Sequence, residues 1–167
     1  MVGFTRVEEV NSIENLRKIL NSLGNSQIIF YIFIDEECNN ESIDRIKNNL
    51  YLYFAQDEST HIILIENNTY NKRNLRNEII DVFGKNNHEL NKFKSRGNLL
   101  ICIDVKNHRM HSFTNFKNCS EFEKNVYNEI LNRIEEIRDN KGNTKSNIKD
   151  ILPFVIDTIK ILMNLIA

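Results

Sequence analysis

What this 167-residue chain lacks narrows the possibilities before any motif is read. Its charges nearly cancel, 22 Lys and Arg against 23 Asp and Glu for a net charge of −1. No global field therefore draws it to nucleic acid or anionic membranes, and no nucleic-acid partner is expected. No membrane span is expected either. The longest apolar stretch, 151–167, is interrupted by Pro153, Asp157, Lys160 and Asn164, which read as the polar face of an amphipathic helix. Met1 to Val10 carries Arg6, Glu8 and Glu9 and no apolar run of signal-peptide length, which predicts a cytoplasmic protein. The three cysteines are widely separated with no CxxC pair. Neither a disulfide framework nor a thiolate zinc site is expected, in keeping with a reducing compartment. Internal repeats, low-complexity tails and phosphate-cradling glycine-rich loops are also missing, and no cofactor is expected.

What is present reads as one α/β domain over residues 1–138, followed over 139–167 by a polar linker and an amphipathic helix. Ile13, Leu16, Ile19, Leu20 and Leu23 recur at helical spacing, with Asn11 and Glu14 as a capping box and Gly24 as a stop. Ile28 to Ile34 is continuously apolar and β-branched or aromatic, as suits a central strand covered on both faces. A helix capped by Asn40 runs to about Gln56. His61 to Ile65 is a second strand, and Asn71 to Phe93 a helix broken near Gly84. Leu99 to Val105 is a third strand, returning as a hairpin through Met110 to Phe116. Ser120 and Glu123 form another capping box, opening a helix to about Arg138. Strands alternating with helices predict a three-layer arrangement around a mixed sheet of about four strands, a parallel core with one antiparallel addition.

The segment that carries most information is Phe33-Ile34-Asp35-Glu36-Glu37-Cys38-Asn39-Asn40-Glu41, a buried strand delivering a cysteine to a helix start. It is similar to the active-site segment of the thioredoxin family, with Cys38 where the nucleophilic thiol would stand. Leu99-Leu100-Ile101-Cys102-Ile103, a polar turn and a returning strand before a capped helix resemble that family's C-terminal hairpin and last helix. The resemblance covers about Ser12 to Arg138 and implies a thioredoxin-like fold. The chain departs from the family's pattern in chemistry. Glu41 stands for the resolving cysteine, there is no tryptophan, Arg96-Gly97-Asn98 replaces the cis-proline, and the buried acid falls near Ile32. A dithiol cycle needs a second thiol to expel a mixed-disulfide partner, so the resemblance implies that ordinary oxidoreductase activity is lost. His61 to Ala167 alone is also similar to the TPM domain, with Thr114-Asn115-Phe116 in place of its hallmark glycines.

Among single residues, Cys38 is the candidate catalytic thiol: a helix start favours the thiolate, while Asp35, Glu36, Glu37 and Glu41 oppose it. Cys102 alternates within an apolar strand as a core residue, and Cys119 opens a helix with no partner close in sequence. Asp35, Glu36, Glu37, Glu66 and Asp104 end three strands, at the edge where open α/β sheets bind ligands and where carboxylates suit magnesium or acid–base work. Their plainer reading is that strands leave the core through polar residues. Asp104-Val105-Lys106 resembles half of a nuclease motif lacking its second acid, His108 and His111 lack a third metal ligand, and Tyr51 to Phe54 reads as helix core and rim. The expectation that results is a non-catalytic thioredoxin-like module acting through protein contacts, with a partner or a second copy docking on the 147–167 stripe. The competing expectation is an enzyme, either monothiol redox at Cys38 or metal-assisted hydrolysis by the strand-end acids. The deciding observation is whether Cys38 and the Gly97-Asn98 turn face each other.

Overall fold

The computed structural model describes residues 7–10, 14–15, 18–19, 26–54, 59–66, 69–70, 73–85, 87–94, 96–107 and 109–139. The expected linker and C-terminal helix, apart from residue 139, lie outside the described residues, as do Asn11 of the first capping box and His108. In chain order the elements are β1 (Val7–Val10), β2 (Ile28–Ile34), α1 (Asn40–Phe54), β3 (Thr60–Glu66), β4 (Thr69–Tyr70), β5 (Arg73–Asn74) and α2 (Leu75–Gly84). A 3₁₀ helix (His88–Phe93), β6 (Asn98–Asp104), β7 (Arg109–Phe116) and α3 (Cys119–Asp139) complete the order. Residues 14–15 and 18–19 are helical, and Ile19 is buried. Among the described residues no helix is long and apolar enough to cross a membrane.

Five strands form one mixed sheet in the order β1-β3-β2-β6-β7. β1 and β2 run parallel to β3, β6 antiparallel to β2, and β7 antiparallel to β6. The fifth strand, against about four expected, is β1. Its four residues, valines around two glutamates, are too short to carry a period-two signal, and it is fixed instead by pairing Val7 to Val10 with Ile62 to Ile65. The expected long helix from Asn71 starts later, because β4 and β5 form a small ribbon and Asn74 caps α2 by accepting the Asn77 N–H.

Side chains alternate across a strand, so the seven buried residues of β2 serve two cores. Ile28, Phe30, Ile32 and Ile34 pack with Ile43, Ile46 and Leu50 of α1 and Phe122, Val126, Ile130 and Ile134 of α3. Ile29, Tyr31 and Phe33 face Ile79, Ile80 and Phe83 of α2, with Ile19 and Leu90. That is a three-layer α/β arrangement with the sheet in the middle. Helices α1 and α3 lie side by side and start at the same end, since their contacts advance together: Cys38 to Cys119, Arg45 to Glu123, Phe54 to Tyr127.

Candidate functional site

The end of the sheet where β2 stops is assembled from four separate segments. Chain leaves β2 through Asp35, turns with the Cys38 N–H donating to the Asp35 carbonyl, and enters α1. The cap is Asn39 rather than Asn40: its Oδ1 accepts the Ser42 N–H at 2.8 Å. Sheet register brings in the second segment. Phe33 pairs with Leu99, which puts Asn98 beside the β2 exit, and Asn98 pairs in turn with Phe116, three residues before Cys119. Both the residue opposite Cys38 and the start of α3 are thereby placed by one strand.

Cys38 and the Gly97-Asn98 turn do face each other. Asn98 is buried, its Oδ1 accepts the Asp35 N–H at 2.8 Å, and the same oxygen lies 3.5 Å from Cys38 Sγ. Its Nδ2 is buried with no hydrogen-bond partner among the described residues, a donor left over beside the sulfur. Asp35 closes the turn from the other side, its Oδ2 accepting the Gly97 N–H at 2.6 Å. Gly97 sits at φ 90°, a left-handed conformation that side chains rarely adopt, which is why glycine stands there. The peptide bonds of this turn are trans, as throughout the described residues.

Arg76 is a member of the site that sequence reasoning missed. It is fully buried in α2. Its Nη1 donates to the Ile34 carbonyl at 2.9 Å, and its Nη2 faces the carbonyls of Phe93, Arg96 and Gly97 at 2.9 Å or less. Burial pulls the guanidinium down to about 10, against the opposing pull of the Asp35 charge, so the group stays cationic near neutrality. One fork thus ties the end of β2 to the loop that faces Cys38.

The expectation that no disulfide forms is overturned. Cys38 and Cys119, 81 residues apart with Cα atoms 5.5 Å from each other, form a disulfide, against the expectation that the cysteines are unpartnered. The physical reason is the register just described, which is a long-range property that cysteine spacing does not contain. Cys38 is 5 % exposed and belongs to the core on the α1–α3 side, whereas Cys119 is half-buried at its margin. Cys119 opens α3 behind the cap Asn118, whose Oδ1 accepts the Glu121 N–H at 2.9 Å, so the box falls two residues before the expected Ser120 and Glu123. Glu123 instead pairs with Arg45 in a two-point contact at 3.0 Å. The Cys119 N–H donates to Glu37 Oε1 at 3.1 Å, joining the β2 exit to α3 a second time. Cys102 is buried and reduced, its thiol pushed above the ordinary range by burial and then by Asp104.

Two openings flank the Cys38 turn. A cleft of about 150 Å³ is lined by Asp35, Glu36, Cys38 and Glu66 among others. A larger groove of about 560 Å³ is lined by Asp35, Glu37, Phe93, Phe116 and the basic Lys92, Arg96 and Lys117.

The strand-end acids do not form one set. Ile34 pairs with Glu66, so Asp35 and Glu66 share an end, but Ile28 pairs with Asp104, which places Asp104 at the opposite end of the sheet. The reason is the antiparallel direction of β6. Asp104 is fully buried, accepts from the Asn107 N–H and Nδ2, and meets Arg109 Nε at 3.4 Å. Those bonds build the hairpin turn. No group of three or more His, Cys, Asp or Glu among the described residues is placed to hold a metal ion. His111 meets Glu136 at 2.8 Å, and Tyr51, Leu52 and Tyr53 are exposed beside the buried Phe54.

Comparison with protein-family models, with curated proteins and with solved structures finds no match for this chain.

Proposed function

We propose that this chain is a thioredoxin-like domain whose Cys38–Cys119 pair exchanges electrons with thiol partners. The observation that carries the reading is the bond between two cysteines at the starts of neighbouring helices. Each helix start holds partial positive charge, which favours the thiolates on which exchange depends. In this reading Cys119 supplies the second thiol that Glu41 withholds, so a cysteine from the last helix completes a cycle that the local motif leaves open. The family resemblance is supported by the two sequence anchors meeting in space: the strand-to-helix segment with its cysteine, and the β6–β7 hairpin whose leading turn faces it. Asp35 and Arg76 hold that turn in place where a cis-proline is absent.

The test is reduction of the full chain in graded dithiothreitol and glutathione buffers, with the Cys38–Cys119 peptide counted by alkylation and mass spectrometry and folding followed by circular dichroism. Reversible reduction with the fold retained is expected. The oxidised chain should also unfold at higher denaturant, because closing an 81-residue loop stabilises by up to about 4 kcal/mol. A bond that resists reduction until the protein is denatured overturns the reading.

That outcome would favour a second one, a thioredoxin-like binding module in which the disulfide is a clamp and a partner or second copy docks on the 147–167 stripe. The observation on its side is the burial of Cys38 at 5 % exposure.

A further inference from the structure

The two sulfurs of the bridge are unequal, and the inequality assigns their roles. Cys38 is enclosed in the core between α1 and α3, with Asn98 against its sulfur. Cys119 is half-buried at the outer margin of that core. The openings differ in the same sense. The small cleft that reaches Cys38 carries Asp35, Glu36 and Glu66, and an approaching thiolate is repelled there. The larger groove carries Lys92, Arg96 and Lys117, none of them in an ion pair with a described residue. It is lined by Glu37, whose carboxylate binds the Cys119 N–H, and by Lys117, two residues before Cys119. The groove beside Lys117 thus mixes three basic side chains with the acids Asp35 and Glu37, whereas the charged residues of the cleft at Cys38 are all acidic.

Resting on the redox reading above, we propose that a partner thiolate attacks Cys119, the more exposed sulfur, from the side of Lys117, with Cys38 as the sulfur released. This reverses the assignment of Cys38 as the nucleophile that the sequence motif implies. In the first step the partner sulfur bonds to Cys119 Sγ, the bond between Cys119 and Cys38 breaks, and its electron pair leaves on Cys38 Sγ. A second thiolate of the same dithiol partner then attacks the partner sulfur held on Cys119, and that electron pair returns to Cys119 Sγ. The partner's dithiol is oxidised to a disulfide by two electrons, the chain's disulfide is reduced by two, and two protons pass from the partner's thiols through solvent to the chain's. Run backwards, Cys119 is the thiolate that opens a partner's disulfide and Cys38 is the thiol that resolves it.

The helix start favours charge on the released Cys38, against the opposing acids Asp35, Glu36 and Glu66 of its cleft. Exchange is faster when the leaving thiol is the better-stabilised anion. Cys38 stands immediately before the Asn39 cap at the N-terminus of α1. The amide of Asn98 beside it holds one buried donor, Nδ2, that has no partner among the described residues.

The experiment compares C38S and C119S full-length proteins, each checked for folding by circular dichroism, reacting with oxidised glutathione as the probe. Adducts are located by peptide mapping, which separates them from any on Cys102. C38S, with Cys119 free, should form its mixed disulfide about tenfold faster or more than C119S does through Cys38. Equal rates, or a faster C119S, overturn the assignment. A second measurement uses the unaltered chain: brief exposure to substoichiometric reduced glutathione, followed by acid quench, should leave the adduct on Cys119, and an adduct on Cys38 overturns the assignment even if a serine variant fails to fold. Reversible reduction of the unaltered chain with the adduct on Cys38 would sink this inference alone. Failure of the bond to reduce in the folded chain would sink the redox reading beneath it as well.

Discussion

The two ends of the sheet both organise themselves around a carboxylate, and they do so in opposite ways. Asp104 bonds to Asn107 and Arg109, three and five residues away, and so closes a hairpin turn with its own neighbours. Asp35 reaches Gly97 across 62 residues, and around it converge Arg76 from α2, Asn98 from β6 and Cys119 from α3. At the first end the carboxylate is satisfied within its own turn, although Ser26 Oγ and Thr60 Oγ1 nearby are buried without a hydrogen-bond partner among the described residues. The other is held by long-range contacts, keeps a buried Asn98 donor without a partner and carries a bond that chemistry can open. Both ends leave buried polar atoms unpaired, so it is the sulfur bridge that marks the Asp35 end as the place where function is to be sought.

The largest effect is expected where the two ends share a strand. Leu100 is buried in β6, which runs from Asn98 at one end to Asp104 at the other between β2 and β7. Leu100→Asp places an unpaired charge there and should abolish the cooperative unfolding transition in urea. A soluble protein with a normal transition would show that neither end depends on this strand. Next comes Arg76→Met, which keeps much of the side-chain volume but removes the donors serving Ile34, Phe93, Arg96 and Gly97. It should cost on the order of 3–5 kcal/mol by breaking a buried charged network. Because it frees the turn facing Cys38, reduction of the disulfide should also be altered. Asp104→Ala is expected to cost less, about 1–3 kcal/mol from the stranded donors of one turn. It should leave the redox behaviour of Cys38 and Cys119 unchanged. If the two substitutions prove equally costly, or if Asp104→Ala shifts the reduction midpoint, the contrast between the ends is lost.

Much of the local framework was legible from the chain. Ile28 to Ile34 and Leu99 to Ile103 announce buried strands by continuous apolar content, and Asp35 to Ile46 announces a cysteine at a helix start, because each pattern lies within a dozen neighbouring residues. Caps were legible to within one or two positions. Consecutive polar residues such as Asn39 and Asn40, or Asn118 and Ser120, offer the same chemistry, and only the chain's entry angle decides between them. Strand direction was not legible. Period-two patterning is the same read either way, so the antiparallel course of β6, and with it the separation of Asp35 from Asp104, emerged only from the pairing. The partner of Cys38 and the role of Arg76 were hidden for a related reason. Each is made by residues tens of positions apart, and Arg76 sits in a helix where an arginine ordinarily points to solvent.

Oxidised, the chain is a covalent ring with two tails. Helix α1, strands β3 to β7 and α2 lie inside the ring, β1 and β2 on one tail, α3 on the other. A force applied through the two tails passes across the sulfur bridge and bypasses everything inside, so the 81-residue span, roughly 280 Å at full extension, stays out of reach until the bond is cut. Reduction would release that length all at once, which makes the redox state of one bond also the setting of how far the molecule can be stretched.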